Sequence, residues 1–461
     1  MKKELFSIDL ITKLNPFSNR YNSLLPVIIK SYRRDANFVY SCQNHAFLIE
    51  LNLMKILIVT QYFWPEGFRV NDLATGLRDR GHQVSVLTGM PNYPQGNFFE
   101  GYSFFGPSRE SYEGIDVFRV PLLPRGSKKS FRLLLNYLSF ALFASFLGPF
   151  IFRKHKFDKI FVFEVSPITV GLPGVVMKYL KKAQMFFWVT DLWPETLLAT
   201  NAVSSKPVIG MVGRLVKFLY GRSDKVLVPS KGYFPNLKKY GAADKSVFWP
   251  YWAEELFEIE NNEDVPSDLR SEVPKGFVIM FAGNLGTSQA LDSVIEASHL
   301  IKDQKDIKWV FLGDGLMRKE MEQKISELGL QENVYLLGRK SLEQVPAYYK
   351  LADVLLVSLK TDPLFEITIP SKIQSYFASS KPILASIDGE GARIVEESKA
   401  GFSCPSSDSK ALADTALKFY NSSTEELELM GTRAREYYDL NFKRAKLFDQ
   451  LENLFEETKG E

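Results

Sequence analysis

Phe277-Val-Ile-Met-Phe-Ala282-Gly-Asn-Leu-Gly286-Thr-Ser-Gln289 opens with six consecutive apolar residues and runs into a loop carrying two glycines. A short apolar run bounded by glycine reads as a strand covered on both faces, and the periodic segment Leu291–Leu300 after it reads as a helix. The same unit recurs down the chain. Strand Lys308–Leu312 leads through Leu312-Gly-Asp-Gly315 to helix Met317–Leu328, and strand Val334–Leu337 leads through Leu337-Gly-Arg339-Lys340 to helix Glu343–Leu351. Strand Val354–Ser358 precedes Glu366-Ile-Thr-Ile-Pro-Ser-Lys-Ile-Gln374, and strand Pro382–Ala385 with helix Gly391–Glu397 completes the series. Alternating strands and helices of these lengths predict a doubly wound parallel sheet with its ligand at the carboxyl ends of the strands.

Working back towards the start, Met54-Lys-Ile-Leu-Ile-Val-Thr60 reads as another buried strand, followed by helix Val70–Arg80 and strand Gln83–Thr88. Further strands are predicted at Ile115–Val120, Lys159–Phe163, Gln184–Val189 and Lys225–Val228, giving a second sheet of the same kind. Its functional edge collects the loops Gln61–Arg69, Gly89–Gly101, Glu164–Thr169 and Asp191–Thr196. The first of these carries one glycine where a dinucleotide site needs three, and the second strand ends without the acidic residue that holds a ribose, which argues against a nicotinamide enzyme. A change of charge near Trp249-Pro-Tyr-Trp-Ala-Glu-Glu255 marks the boundary. The chain therefore divides into 1–53, an extension ahead of a second start-like methionine, 54–250, 251–435, and a C-terminal helix over 436–461 that returns to the first domain.

The net charge of +3 conceals an uneven distribution, with about +13 on 54–250 balanced by an equal negative excess on 251–461. A basic domain calls for an anionic surface or substrate. No nucleic-acid signature accompanies the charge, so a membrane is the better partner. Phe131–Phe152 is apolar, long enough to cross a bilayer, and flanked by Arg125, Lys128, Lys129, Arg153, Lys154 and Lys156. Crossing would split one sheet between two compartments. The segment is either a buried crossover helix or one that also lays an apolar, basic-edged face on the membrane. Two cysteines and four histidines without ligand spacing predict neither a disulfide framework nor a metal site.

In the Glu366–Gln374 segment a carboxylate precedes a Pro-Ser-Lys turn and a short amphipathic run. A helix start with free N–H groups beside a lysine suits a phosphorylated, hydroxyl-rich ligand, although the same turn also serves as a plain cap. Together with Met54–Thr88, Asn92-Tyr-Pro-Gln-Gly96, Asp191-Leu-Trp-Pro-Glu195, Phe281-Ala-Gly-Asn-Leu-Gly286 and Leu312-Gly-Asp-Gly315, this segment resembles the family 4 retaining glycosyltransferases. They have two Rossmann-like domains facing across a cleft (GT-B), and the resemblance is greatest to the WbuB-like branch associated with surface polysaccharide and L-fucosamine-type transfer.

The resemblance implies that a nucleotide-sugar, a UDP-sugar, lies against the second domain and that no metal or other cofactor takes part. The family's two glutamates fall on Glu366, beside the donor sugar, and on Gln374, at the ribose. The family's diphosphate-clamping arginine and lysine fall on the neutral Asn284 and Gln289. Gly286, Gly313, Arg339, Thr368, Pro370, Ser371 and Lys372 are then the remaining donor-side residues. Asp191 is the candidate for orienting the acceptor or assisting proton transfer, with a plain helix N-cap as its other reading. Gly67, Arg69, Asn92 and Trp193 are the candidate acceptor contacts. The implied protein is cytoplasmic and peripheral on the inner face of the membrane, transferring a sugar to a lipid-diphosphate-linked acceptor. A UDP-sugar 2-epimerase of the same fold and a non-catalytic sugar-nucleotide-binding subunit are the alternatives.

Overall fold

The computed structural model describes the backbone of residues 30–34, 37–42, 45–49, 53–126, 130–199, 203, 205–258 and 265–457. Most of the 1–53 extension thus lies outside the described residues. Within it Lys30–Arg34, Asn37–Cys42 and His45–Ile49 pair as an antiparallel sheet separate from the other two.

The first domain carries an eight-stranded sheet in the order Ser246–Phe248, Lys225–Val228, Gln184–Val189, Lys159–Glu164, Lys55–Val59, Gln83–Gly89, Ile115–Val120, Arg109–Tyr112. All neighbours are parallel except the last pair. The second domain carries six parallel strands in the order Val334–Gly338, Ile307–Leu312, Phe277–Ala282, Val354–Ser358, Ile383–Ser386, Gly401–Cys404. Strand side chains alternate between faces, so each sheet feeds two cores. Leu57, Val59, Ile160 and Val162 enter one core of the first domain, whereas Ile56, Ile58, Phe161 and Phe163 enter the other. This double burial is why these strands read as continuous apolar runs.

The three strands described in the extension escape sequence reading. In the eight- and six-stranded sheets three more escape it: Arg109–Tyr112, Ser246–Phe248 and Gly401–Cys404. Each is a short edge strand with one free side, and none has the apolar run of a central strand.

The crossing back to the first domain does not begin at 436. Thr424–Asn441 stays with the second domain, burying Ala434 and Tyr438 in its core, and the chain turns at Phe442 and Lys443. Arg444–Glu457 then buries Leu447, Phe448, Leu451, Leu454 and Phe455 against the first sheet. Polar contacts secure it: Trp249 Nε1 donates to the Leu447 carbonyl at 2.8 Å, Arg444 pairs with Asp72 at 2.9 Å and Arg80 with Glu452 at 2.6 Å.

The helix Ser130–Ile151 lies along the first domain. Its inner side contributes Asn136, Phe140 and Ala144, all without exposed surface, while Phe131, Leu134, Leu138, Leu142, Phe146 and Phe150 stand exposed on the outer side. The spacing of three and four residues places those six on one stripe.

Candidate active site

The candidate donor-side wall forms where strand ends meet helix starts in the second domain. Gly313 adopts a φ of +146°, and a Cβ there would collide with the Gly283 carbonyl, so the Leu312–Gly315 turn can lie directly on the Ala282–Gly286 loop. Glu366 ends the short helix Pro363–Glu366, whose first N–H groups are capped by Asp362 Oδ1 accepting from Leu364 N at 2.8 Å. Sequence reading put Glu366 on a loop; Pro363 at the first helical position turns that loop into one helical turn. The Glu366 backbone carbonyl presses on Gly389, whose φ of +69° and missing Cβ leave the room. The Glu366 side chain is exposed.

Ser371–Ala378 forms the next helix, with Pro370 as its N-cap. Lys372 Nζ sits 3.7 Å from the centre of the Phe281 ring and donates to Gln289 Oε1. No carboxylate pairs with it among the described residues, and burial lowers its pKa to about 7. Gln374 is buried, and its amide nitrogen, oriented to satisfy its neighbours, donates to the Pro370 and Ser371 carbonyls at 3.0 and 2.9 Å.

The candidate acceptor-side wall comes from the first domain. Glu164 ends its strand without exposed surface, accepting from Ser166 N at 3.2 Å and from Asp191 N at 3.3 Å. Asp191 Oδ2 accepts from Ser166 Oγ at 2.7 Å, and Trp193 Nε1 donates to the same Oγ at 3.2 Å. Burial drives the Asp191 carboxyl upward, partly opposed by the Ser166 hydrogen bond. The domains touch here. Ser230 Oγ donates to the Ile367 carbonyl at 2.6 Å, and the Tyr233 hydroxyl lies 3.3 Å from both the Thr190 carbonyl and Thr368 Oγ1.

A second polar knot lies under the loops that follow the first two strands. Glu66 Oε1 accepts from the N–H groups of Asn92 and Tyr93 at 2.9 and 2.8 Å, and its Oε2 from Phe63 N at 3.2 Å. Burial raises its carboxyl to about 7 against those three hydrogen bonds. Asn136 joins the knot to the long apolar helix, donating to Asn92 Oδ1 at 3.3 Å and accepting from Gln61 Nε2 at 2.7 Å.

The two-domain fold has counterparts among known proteins. A family model described as "Glycosyl transferase 4-like domain" matches residues 67–252, and one described as "Glycosyl transferases group 1" matches residues 268–437. Between them they cover well over half of the chain, one model to each domain. The chain belongs to the family 4 glycosyltransferases. This glycosyltransferase is 28% identical over 347 residues to the putative colanic acid biosynthesis glycosyl transferase WcaI of Escherichia coli (strain K12), covering 70% of this chain and 81% of that one. It is 30% identical over 243 residues to the probable glycosyltransferase WbjE of Pseudomonas aeruginosa, covering 51% and 60% of the two chains. Among solved structures, Anabaena Alr3699/HepE in complex with UDP superimposes with a TM-score of 0.62 at 17% identity, over 88% of this chain and 100% of that one. That likeness establishes the two-domain GT-B fold.

The residues singled out from the glycosyltransferase's sequence are not equivalent in space. Asn284, Gly286, Gln289, Gly313, Glu366, Pro370, Ser371 and Lys372 gather on the donor wall, and exposed Arg339 follows the neighbouring strand end. Thr368 Oγ1 donates to the Leu364 carbonyl at 2.7 Å and faces Tyr233, so it links the domains instead of facing a donor. Arg69 is ion-paired with Glu254 at 2.9 Å and rests on Trp252, which ties it to the interdomain connection. Asn92 has no exposed surface and spends its side chain on the Met90 carbonyl, Arg125 N and Asn136, so it shapes the loop and does not contact an acceptor. Trp193 is buried beneath Asp191, whereas Gly67 is exposed with open space where a Cβ would project.

Glu164, Ser166 and Glu66 were missed. The loops containing them were recognised as lying at the functional edge, but nothing local separates their side chains from ordinary loop residues. The Glu-Val-Ser-Pro run after an apolar strand is the one available hint.

Proposed function

We propose that this glycosyltransferase moves a sugar, of the L-fucosamine or another N-acetylamino type, from a UDP-sugar to a lipid-diphosphate-linked acceptor at the inner face of the cytoplasmic membrane. The product serves surface polysaccharide synthesis, a reading supported by the likeness to WcaI, which is named for colanic acid biosynthesis. Transfer retains configuration at the anomeric carbon and uses no metal. Glu366 faces the donor sugar, while Lys372 and the N–H groups starting the Ser371–Ala378 helix supply positive charge to the departing diphosphate. Asp191 meets the acceptor hydroxyl from the opposite wall. The observation that carries this reading is the helix Ser130–Ile151: its outer side offers six exposed apolar residues, and its inner side reaches the acceptor wall, where Tyr137 lies edge-on to Trp193 at 6.5 Å. Arg153, Lys154 and Lys156, just past the helix, are exposed, and Lys181 Nζ donates to the Phe152 carbonyl from the helix Gly171–Lys181 that also carries exposed Tyr179 and Leu180.

The test incubates the full chain with bacterial membranes and a panel of labelled UDP-sugars. Label recovered in the lipid fraction, undiminished by EDTA, is the expected result. An altered sugar left in solution would mean epimerisation, and binding without turnover would mean a non-catalytic subunit. Either would overturn the proposal.

Membrane docking has its own measurement. Replacing Leu142, Phe146 and Phe150 together by serine removes several exposed methyl, methylene and ring groups from the surface that enters the lipid interface, each buried CH₂ contributing about 0.8 kcal/mol. The expected result is at least about a tenfold drop in partitioning onto anionic vesicles, with thermal stability preserved because all three side chains are exposed. Equal co-sedimentation of variant and wild type would show that the stripe is not the docking face.

Lys372 ties donor affinity to pH. Its amine is charged below about 7 and neutral above, so UDP affinity should fall as pH rises from 7 to 9. Calorimetric titrations are expected to show this decline in the wild type and its loss in Lys372→Arg, which stays charged throughout. The same slope in both proteins would exclude Lys372 from the diphosphate site.

A further inference from the structure

The Glu164 and Asp191 carboxyl groups stand at the ends of adjacent strands, with Ser166 bridging them. Glu164 has no exposed surface, and neither carboxyl pairs with a lysine or arginine among the described residues. The titratable groups packed around them are Tyr137 of the long apolar helix, Tyr220 of the helix Lys206–Arg222, Tyr233 before the helix Phe234–Lys239, and Tyr251 of the interdomain connection. All four are neutral phenols. The Ser166 and Asp191 N–H groups reach the Glu164 carboxyl at 3.2 and 3.3 Å, long for a carboxylate carrying full charge, and together with the Thr190 N–H they only partly oppose the effect of its burial. A second ionised carboxyl in this setting would be a buried anion beside another anion, with no cation to offset it.

We propose that Glu164 is a proton-bearing positioning residue: a neutral carboxylic acid that holds Ser166 and Asp191 in place so that Asp191 alone carries the charge on the acceptor wall. Its two oxygens clamp the backbone of both loops. Ser166 has a φ of +92°, a left-handed conformation that a serine keeps only when its surroundings hold it. The Ser166 hydroxyl, donating to Asp191 and accepting from Trp193, then sets the direction of the Asp191 carboxylate. Burial and the neighbouring Asp191 charge both push the Glu164 carboxyl well above its usual range. The positioning part of this inference rests on the reading of Asp191 as the residue that meets the acceptor.

Two measurements on the full chain test it. In the unfolded chain Glu164 ionises near the ordinary carboxylate value, whereas the folded chain keeps its proton. The folded state therefore binds one more proton, and wild-type stability falls as pH rises past that value. Glu164→Gln has no proton to lose. Its unfolding constant relative to wild type should therefore drop as pH rises above the ordinary carboxylate value, by up to about tenfold per pH unit, read from chemical denaturation; a ratio that stays constant as pH rises would overturn the neutral state. In turnover of a UDP-glucose, UDP-galactose and UDP-N-acetylglucosamine panel with membranes, Glu164→Ala should lower kcat at least about tenfold at unchanged donor KM, and Glu164→Gln should restore it. Equal losses in both variants would overturn the positioning role. Full activity in Asp191→Asn would instead remove the Asp191 reading, and the positioning role with it, while the pH series continued to report the proton on Glu164.

Discussion

Glu366→Ala is expected to lower the rate of sugar transfer by about 10³-fold or more, while the thermal midpoint stays within about 2 °C of the wild type. The two halves of that expectation have separate causes. Glu366 is exposed at the end of a capped helical turn, and its side chain has no hydrogen-bond or ion-pair partner among the described residues, so truncation empties no core and orphans no buried group. Its backbone is held by packing against Gly389 and survives the substitution. The catalytic half follows from preorganisation: a group fixed beside the reacting centre is worth about 10² to 10³ in kcat when it stabilises developing charge, and more when it also positions the donor. Donor KM should move much less than kcat, because the proposal places the diphosphate elsewhere, at the Ser371 helix start and Lys372. Near-normal turnover by Glu366→Ala would remove it from the site. A fall in kcat matched by a fall in thermal midpoint would show that its part is structural.

Phe448→Ala is expected to give the largest loss of stability, about 3–5 kcal/mol by urea denaturation. Phe448 has no exposed surface and lies directly against Gly76, in a groove that a larger residue there would fill. It packs edge-on to Trp252 at 5.2 Å, with the Arg444 and Arg80 guanidinium groups 4.7 and 5.5 Å from its ring centre. Truncation therefore leaves a cavity between a helix that follows the second domain and the sheet of the first, where neighbours on rigid elements cannot collapse inward. Leu454, slightly exposed in the same helix, should cost less when cut to alanine. A loss below about 1 kcal/mol for Phe448→Ala would mean that the returning helix contributes little to the fold.

How far the chain could be read without coordinates depended on whether the signal was local. Phe277–Ala282 and Val354–Ser358 form strands with the boundaries that their apolar runs predict, because central strands of a parallel sheet are buried on both sides and carry their pattern openly. The loop glycines at 313 and 315 were legible for a similar reason: a Cβ there would meet the Gly283 and Leu285 carbonyls, and backbone-on-backbone contact at a strand end demands the residue type itself. Asn92 was misjudged. It lies in a motif at the functional edge, yet its side chain turns inward to a network built from Glu66 and Asn136, residues 26 and 44 positions away. Arg69 was open to a ligand in the sequence, but Glu254 occupies it across the domain boundary.

From the sequence alone come the two doubly wound domains, the order of their loops, the uneven charge and the family resemblance, since each is written in stretches short enough for local periodicity, glycine placement and composition to specify. Only tertiary structure decides which faces are covered. It buries Phe140 and Ala144 of the long helix and leaves Leu142 and Phe146 to solvent, although all four are equally apolar in the sequence. Pairing of Lys159–Glu164 with Gln184–Val189 is likewise what brings buried Glu164 to half-buried Asp191 and creates a carboxyl pair from two residues that, 27 positions apart, have no reason to meet. Strand order and the packing of each face set such encounters, and neither is encoded in the neighbourhood of the residues concerned.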